Sequence, residues 1–90
     1  RGDILARMEK YEEAVEAFRR EIAAFPRHLQ TYANLYLVYM VTNRPSEARR
    51  VLEEMVAANP GRDSILFASR TAAAVGDERV AEFWRRRAAS

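Results

Sequence analysis

Residues 29–62 read LQTYANLYLVYMVTNRPSEARRVLEEMVAANPGR, and this stretch decides the fold. Tyr32, Leu35, Tyr36 and Tyr39 recur at the 3, 4, 7 spacing that gathers side chains on one face of an α-helix. The pattern predicts a helix from about His28 to Val41 with those four residues inward. Asn43 suits a left-handed cap and Pro45 suits the first turn of the next helix, because its missing N–H costs nothing there. Ala48, Val51, Leu52, Met55 and Val56 then mark a second amphipathic helix, about Pro45 to Ala58, which Pro60-Gly61 stops.

Working outward, the same arrangement appears on both sides. Phe25-Pro26 stands 34 residues before Asn59-Pro60, and Ala14, Phe18 and Ile22 stand 34 residues before Ala48, Leu52 and Val56. The upstream copy carries Tyr11, Ala14, Val15, Phe18 and Ile22 on one stripe. Glu12, Glu13 and Glu16 precede Arg19 and Arg20, an order that suits the helix dipole, and Glu16 with Arg20 is a favourable i,i+4 pair. Downstream, a third copy fits with one residue deleted after Pro60. Asp63 or Ser64 caps a helix running to about Val75 and Gly76 ends it. Asp77 caps a last helix that buries Val80, Ala81, Trp84 and Ala88. No strand pattern occurs, and the short breaks make sequential helices pack antiparallel. The reading is one all-α domain, 1–90, of three repeats at 1–28, 29–62 and 63–90.

Composition narrows the function classes. Fifteen basic and thirteen acidic residues give a net charge of +2, with both signs interleaved along the helices. That balance argues against a nucleic-acid partner. Arg85, Arg86 and Arg87 are consecutive, so on a helix they point about 100° apart and form no single patch. The longest apolar run, Leu35 to Val41, is too short to cross a bilayer, and the first residues lack the pattern of a secretory leader. The chain reads as soluble, with the cytoplasm as the default compartment. It has no cysteine, so disulfides and thiolate metal sites are excluded.

No catalytic constellation is visible. His28 is the only histidine, and it falls in a turn where a solvated or capping role is expected. Glu12, Glu13 and Glu16 read as a solvated helix face and not as a metal site. Gly2, Gly61 and Gly76 are too far apart for a phosphate-cradling loop. No cofactor is expected, and the chain reads as a non-enzyme.

The residues resemble the tetratricopeptide repeat family. Tyr32, Leu35, Tyr39, Ala48, Leu52 and Pro60 stand where that family places its large aromatic, leucine, tyrosine, alanine, aromatic or leucine, and closing proline. Gly2, Leu5, Tyr11, Ala14, Phe18 and Pro26 supply the same series in the first copy. The resemblance implies antiparallel helical hairpins stacked as a right-handed superhelix. Tyr36 departs from it, since a small residue is usual there, and so do Asn43 and Pro45, which replace a common glycine and tyrosine.

In the family the first helix of each hairpin lines a concave groove. Carried over by position, that groove presents Asp3 and Arg7, then Gln30, Ala33, Asn34, Leu37 and Val41, then Asp63, Phe67, Arg70 and Ala74. The residues expected to meet a partner are Gln30, Asn34, Leu37, Val41, Phe67 and Arg70. Members that grip a C-terminal carboxylate need polar or basic residues where Ala33, Leu37 and Leu66 stand; only Arg70 fits, which argues against that subtype. Leu37 and Phe67 either serve as the apolar part of the interaction surface or fill the inside of a tight superhelix. Phe83, beside the core stripe of the last helix, either packs on the preceding helix or meets a partner.

The leading reading is therefore a scaffold that binds a protein or peptide segment in the groove. The alternative is a C-terminal oligomerisation or intramolecular docking module of a larger bacterial multidomain protein, for the chain is also loosely similar to repeat tails on sulfatase-like hydrolases. With its first copy truncated, the array reads as the end piece of a longer one, and one of its ends is expected to pack against another copy or another domain.

Overall fold

The computed structural model describes residues 2–89, with side chains from Glu9 onward. Among the described residues there are five helices: α1 (Gly2–Ala24), α2 (Leu29–Val41), α3 (Pro45–Ala58), α4 (Arg62–Ala74) and α5 (Glu78–Ala89). Asp3, Leu5 and Arg7, expected to carry family or groove positions, lie outside the residues whose side chains are described.

The turns follow their sequence chemistry. Asn43 takes a left-handed φ of 61°, which reverses the chain after α2, and Pro45 opens α3. Gly76, at φ 84°, does the same after α4. Asp77 then caps α5, with the Val80 amide donating to its Oδ1 at 3.4 Å. The start of α4 differs from expectation. Gly61, not Asp63 or Ser64, holds the N-cap position at φ 142°, a conformation a side chain rarely adopts. Ser64 instead lies inside the first turn, where its buried hydroxyl donates to the carbonyls of Asn59 and Gly61 and ties the helix start to the preceding turn.

The first helix is longer than the repeat pattern implies. Met8-Glu9-Lys10 occupies the place that Thr42-Asn43-Arg44 holds one period later. Methionine, glutamate and lysine all favour helix, whereas Asn43 adopts a positive φ and Pro45 follows. With no breaker between them, the two halves of the first copy run as one 23-residue helix.

The closest packing joins α2 to α3 and α4 to α5, so these pairs are hairpins. α1 packs on α2, α3 on α4, and α2 also touches α4. The first helices of successive hairpins are thus neighbours, the arrangement of a helical hairpin solenoid, and the molecule is a slab of 48 × 29 × 16 Å.

Core composition explains how the hairpins fit. α2 buries three tyrosines, Tyr32, Tyr36 and Tyr39, with Leu35. α4, which meets it, buries only Ser64, Ala68, Ser69 and Ala72. Large side chains on one helix against small ones on its neighbour fill the space without voids. Tyr36, the departure from the family pattern, is 0% exposed and belongs to the same cluster as Ala68 and Ala72. Trp84 and Ala81 of α5 and Leu52, Val51 and Met55 of α3 complete that cluster. Ala88, expected inside, is only half-buried, because α5 has a close helix neighbour only in α4.

Polar contacts tie the hairpin ends together. Tyr32 donates its hydroxyl to the Pro26 carbonyl at 2.9 Å, and Asn59 Nδ2 donates to the same carbonyl at 2.8 Å. One carbonyl at the first proline turn therefore joins α2 and the end of α3. Arg19 pairs with Glu54 and Arg44 with Glu12, linking α1 to α3 and to the α2–α3 turn.

Candidate partner-binding groove

α2 has neighbours on three sides, α1, α3 and α4. Its exposed residues lie on one strip. Gln30, Asn34, Leu37 and Val41 follow the 4, 7, 11 spacing of a single helical stripe, and they form that strip. Gln30, Leu37 and Val41 are exposed and Asn34 is half-buried. Leu37 keeps 42% and Val41 62% of its surface open, so two adjacent turns of α2 present aliphatic side chains to water. Gln30 Nε2 donates to Asn34 Oδ1 at 3.2 Å, which orients both amides at the other end of the strip.

On α4 the corresponding positions are Asp63, Phe67, Arg70 and Ala74. Asp63, Arg70 and Ala74 are exposed. Phe67 is half-buried and packs against the core, so one part of its ring supports the array while the other faces outward. The Thr71 hydroxyl donates to the Phe67 carbonyl at 2.8 Å and stays with its own helix.

Ala33 does not belong to this strip. At 6% exposure it is part of the core. Its methyl group is too short to reach past the three helices crowding α2, and Thr31 and Tyr32 beside it are buried as well. Leu66 is half-buried. His28 stands at the N-cap position of α2 without a capping hydrogen bond; its Nδ1 lies 3.2 Å from Thr31 Oγ1. Phe83 does not bury itself on the preceding helix: 51% of it is open, and it meets Trp84 edge to face at 5.1 Å.

One feature of the site region escaped the sequence reading. The Tyr36 hydroxyl is buried with no hydrogen-bond partner among the described residues. Burial pushes its ionisation up to about 12, the Asp77 carboxylate adds to the rise, and Arg49 partly offsets it. The signal available in sequence was the large residue at a position where the family places a small one.

Hairpins stacked with their first helices side by side define an α-helical repeat solenoid, a class that presents an extended face built from successive repeats. Residues 5–74 match the family model described as tetratricopeptide repeat. The chain belongs to the tetratricopeptide repeat family. No curated protein matches it. Repeats of this family generally mediate protein–protein interactions, and its members are typically non-catalytic scaffolds. No helix among the described residues is long and apolar enough to cross a membrane.

Proposed function

We propose that the chain is an interaction scaffold whose groove, formed by the strips of α2 and α4, takes a segment of a protein partner. The observation that carries this reading is the exposure of Leu37 and Val41 on the most open strip of a helix whose other face buries Tyr32, Leu35, Tyr36 and Tyr39. Neighbouring apolar side chains left open on a folded surface favour an apolar ligand side chain. Gln30 and Asn34 at one end, and Arg70 on the neighbouring helix, supply hydrogen bonds to a peptide backbone or an acidic side chain. One arginine on the strips is too little positive charge for a phosphate backbone, so the partner is protein and not nucleic acid. In this reading the repeats divide at residues 28/29 and 62/63, and no reaction is assigned to the chain.

A peptide library selected on the 90-residue chain, followed by amide chemical-shift mapping, tests it. Shifts are expected along α2 and α4. Leu37→Asp with Phe67→Asp should lower affinity at least about tenfold, or about 1.4 kcal/mol. Because Phe67 also packs on the core, Leu37→Asp with Val41→Asp is the companion variant, which leaves every buried residue in place. Unchanged affinity in the companion variant, with helicity retained, refutes the groove.

A further inference from the structure

On the groove reading proposed above, the chemistry of the two strips also selects the backbone shape of what binds there. At an offset of 33 residues, Asp63, Phe67, Arg70 and Ala74 of α4 occupy the repeat positions of Gln30, Asn34, Leu37 and Val41 of α2. The groove therefore runs from a polar end, at Gln30 and Asp63, to an apolar end, at Val41 and Ala74. α2 carries no charged residue. Asp63 stands beside Arg62, so their charges cancel at the polar end. Arg70 is left as the unbalanced charge of the strips: it is exposed and makes no ion pair among the described residues.

An extended ligand has to find partners for its backbone. With its side chains on the floor of the groove, its amides point sideways at the walls. Those walls are helices, whose own N–H and C=O groups bond within each helix. Only side chains can answer, and few are free to do so. Gln30 and Asn34 already bond each other at 3.2 Å. The Thr71 hydroxyl donates to the Phe67 carbonyl at 2.8 Å. Around Leu37, Val41 and Ala74 that leaves the Arg70 guanidinium, which donates hydrogen bonds and accepts none. The N–H groups of an extended segment would lie unbonded against apolar side chains, which is costly. A helical segment makes no such demand, because its backbone bonds are internal.

A helix also fits the relief. Leu37 and Val41 stand one turn apart and form a ridge of the kind by which helices interlock. Phe67 and Ala74 stand two turns apart on the facing strip. From Gln30 to Val41 the strip is about 16 Å long, the span of about eleven helical residues.

We infer that the groove takes an amphipathic helix of the partner protein, laid along α2 and α4 with its apolar stripe on Leu37, Val41 and Phe67 and a carboxylate side chain on Arg70. An isolated helix of that length is marginal in water, so the segment folds as it binds.

Two displayed libraries of peptides about 14 residues long, selected together on the 90-residue chain, test this. Both fix four leucines: one set at the helical spacing of positions 1, 4, 8 and 11, the other at the strand spacing of 3, 5, 7 and 9. Among clones whose binding is lost with Leu37→Asp and Val41→Asp, the helical set should outnumber the strand set at least about tenfold. Those peptides should show helical carbon-13 Cα shifts when bound, and Arg70→Glu should weaken them at least about tenfold. Arg70 is exposed, so its replacement leaves the core in place. Strand-set clones that depend on Leu37 and Val41 overturn the helical ligand and leave the groove standing. Clones that ignore Leu37→Asp with Val41→Asp, or the absence of clones from either set, overturn the groove and the helical ligand together. Binding that ignores Arg70→Glu overturns the carboxylate contact.

Discussion

Tyr36→Phe removes one oxygen atom from the middle of the array. That oxygen is buried and makes no hydrogen bond among the described residues, although water would satisfy it in the unfolded chain. An unsatisfied buried polar group costs about 1–3 kcal/mol, whereas the space left by a single oxygen is smaller than a water and forfeits only a few weak contacts. The substitution should therefore stabilise the fold by about 1 kcal/mol, which raises Tm by roughly 4–8 °C in a domain of this size. Tyr32→Phe is the matched comparison on the same helix. Its hydroxyl donates to the Pro26 carbonyl at 2.9 Å, and that carbonyl keeps the Asn59 amide at 2.8 Å when the hydroxyl is gone. Loss of this one bond without a stranded partner should cost about 0.5–1.5 kcal/mol. Thermal and urea denaturation followed by far-UV circular dichroism measure both changes. Opposite signs on one helix are expected. A Tyr36→Phe protein that is less stable than the parent refutes the reasoning, because the hydroxyl would then be satisfied in the folded protein.

Further outcomes follow from the same contacts. The Tyr36 phenol is held up to about 12 against an ordinary value of 10, so the unfolded chain loses that proton first. Its contribution to stability is complete below pH 10 and is lost as pH rises from 10 towards 12, and urea midpoints across that window should fall less steeply in Tyr36→Phe. Gly76→Ala meets no atom within 4 Å, so its cost is the backbone's alone at φ 84°, about 1–2 kcal/mol by denaturation. Asn43→Gly, at φ 61°, should instead leave stability within about 0.5 kcal/mol of the parent. Trp84→Ala should cost about 3–5 kcal/mol, and hydrogen exchange should show α5 opening before α2 and α3, since Trp84 is the largest buried side chain of that helix.

Much of this architecture was legible in the chain. The 3, 4, 7 spacing of Tyr32, Leu35, Tyr36 and Tyr39, the proline–glycine stop at Pro60-Gly61 and the caps at Asn43 and Asp77 are local features, readable without neighbours. They set where α2, α3 and α5 lie and which stripe each buries. The strip of Gln30, Asn34, Leu37 and Val41 was equally legible, because helix geometry alone separates it from the buried stripe.

Other properties depended on which helices meet. Ala33 left the accessible face because α2 is enclosed on three sides. Phe83 stayed open because α3 leaves a groove beside it. Helices α1 and α5 have fewer neighbours than α2, so Phe18 and Ala88 are only half-buried while Tyr36, at a position where a small residue is usual, is sealed. Periodicity is a property of one helix and comes from 3.6 residues per turn. Exposure is a property of several helices at once, decided by which surfaces come within contact distance. The amino-acid sequence by itself determined the helices from α2 onward and the turns at Asn43, Pro60-Gly61 and Gly76 that separate them. Only the tertiary structure decided how much of Leu37, Phe67 and Phe83 stays exposed, and that the Tyr36 hydroxyl is buried with no hydrogen-bond partner among the described residues.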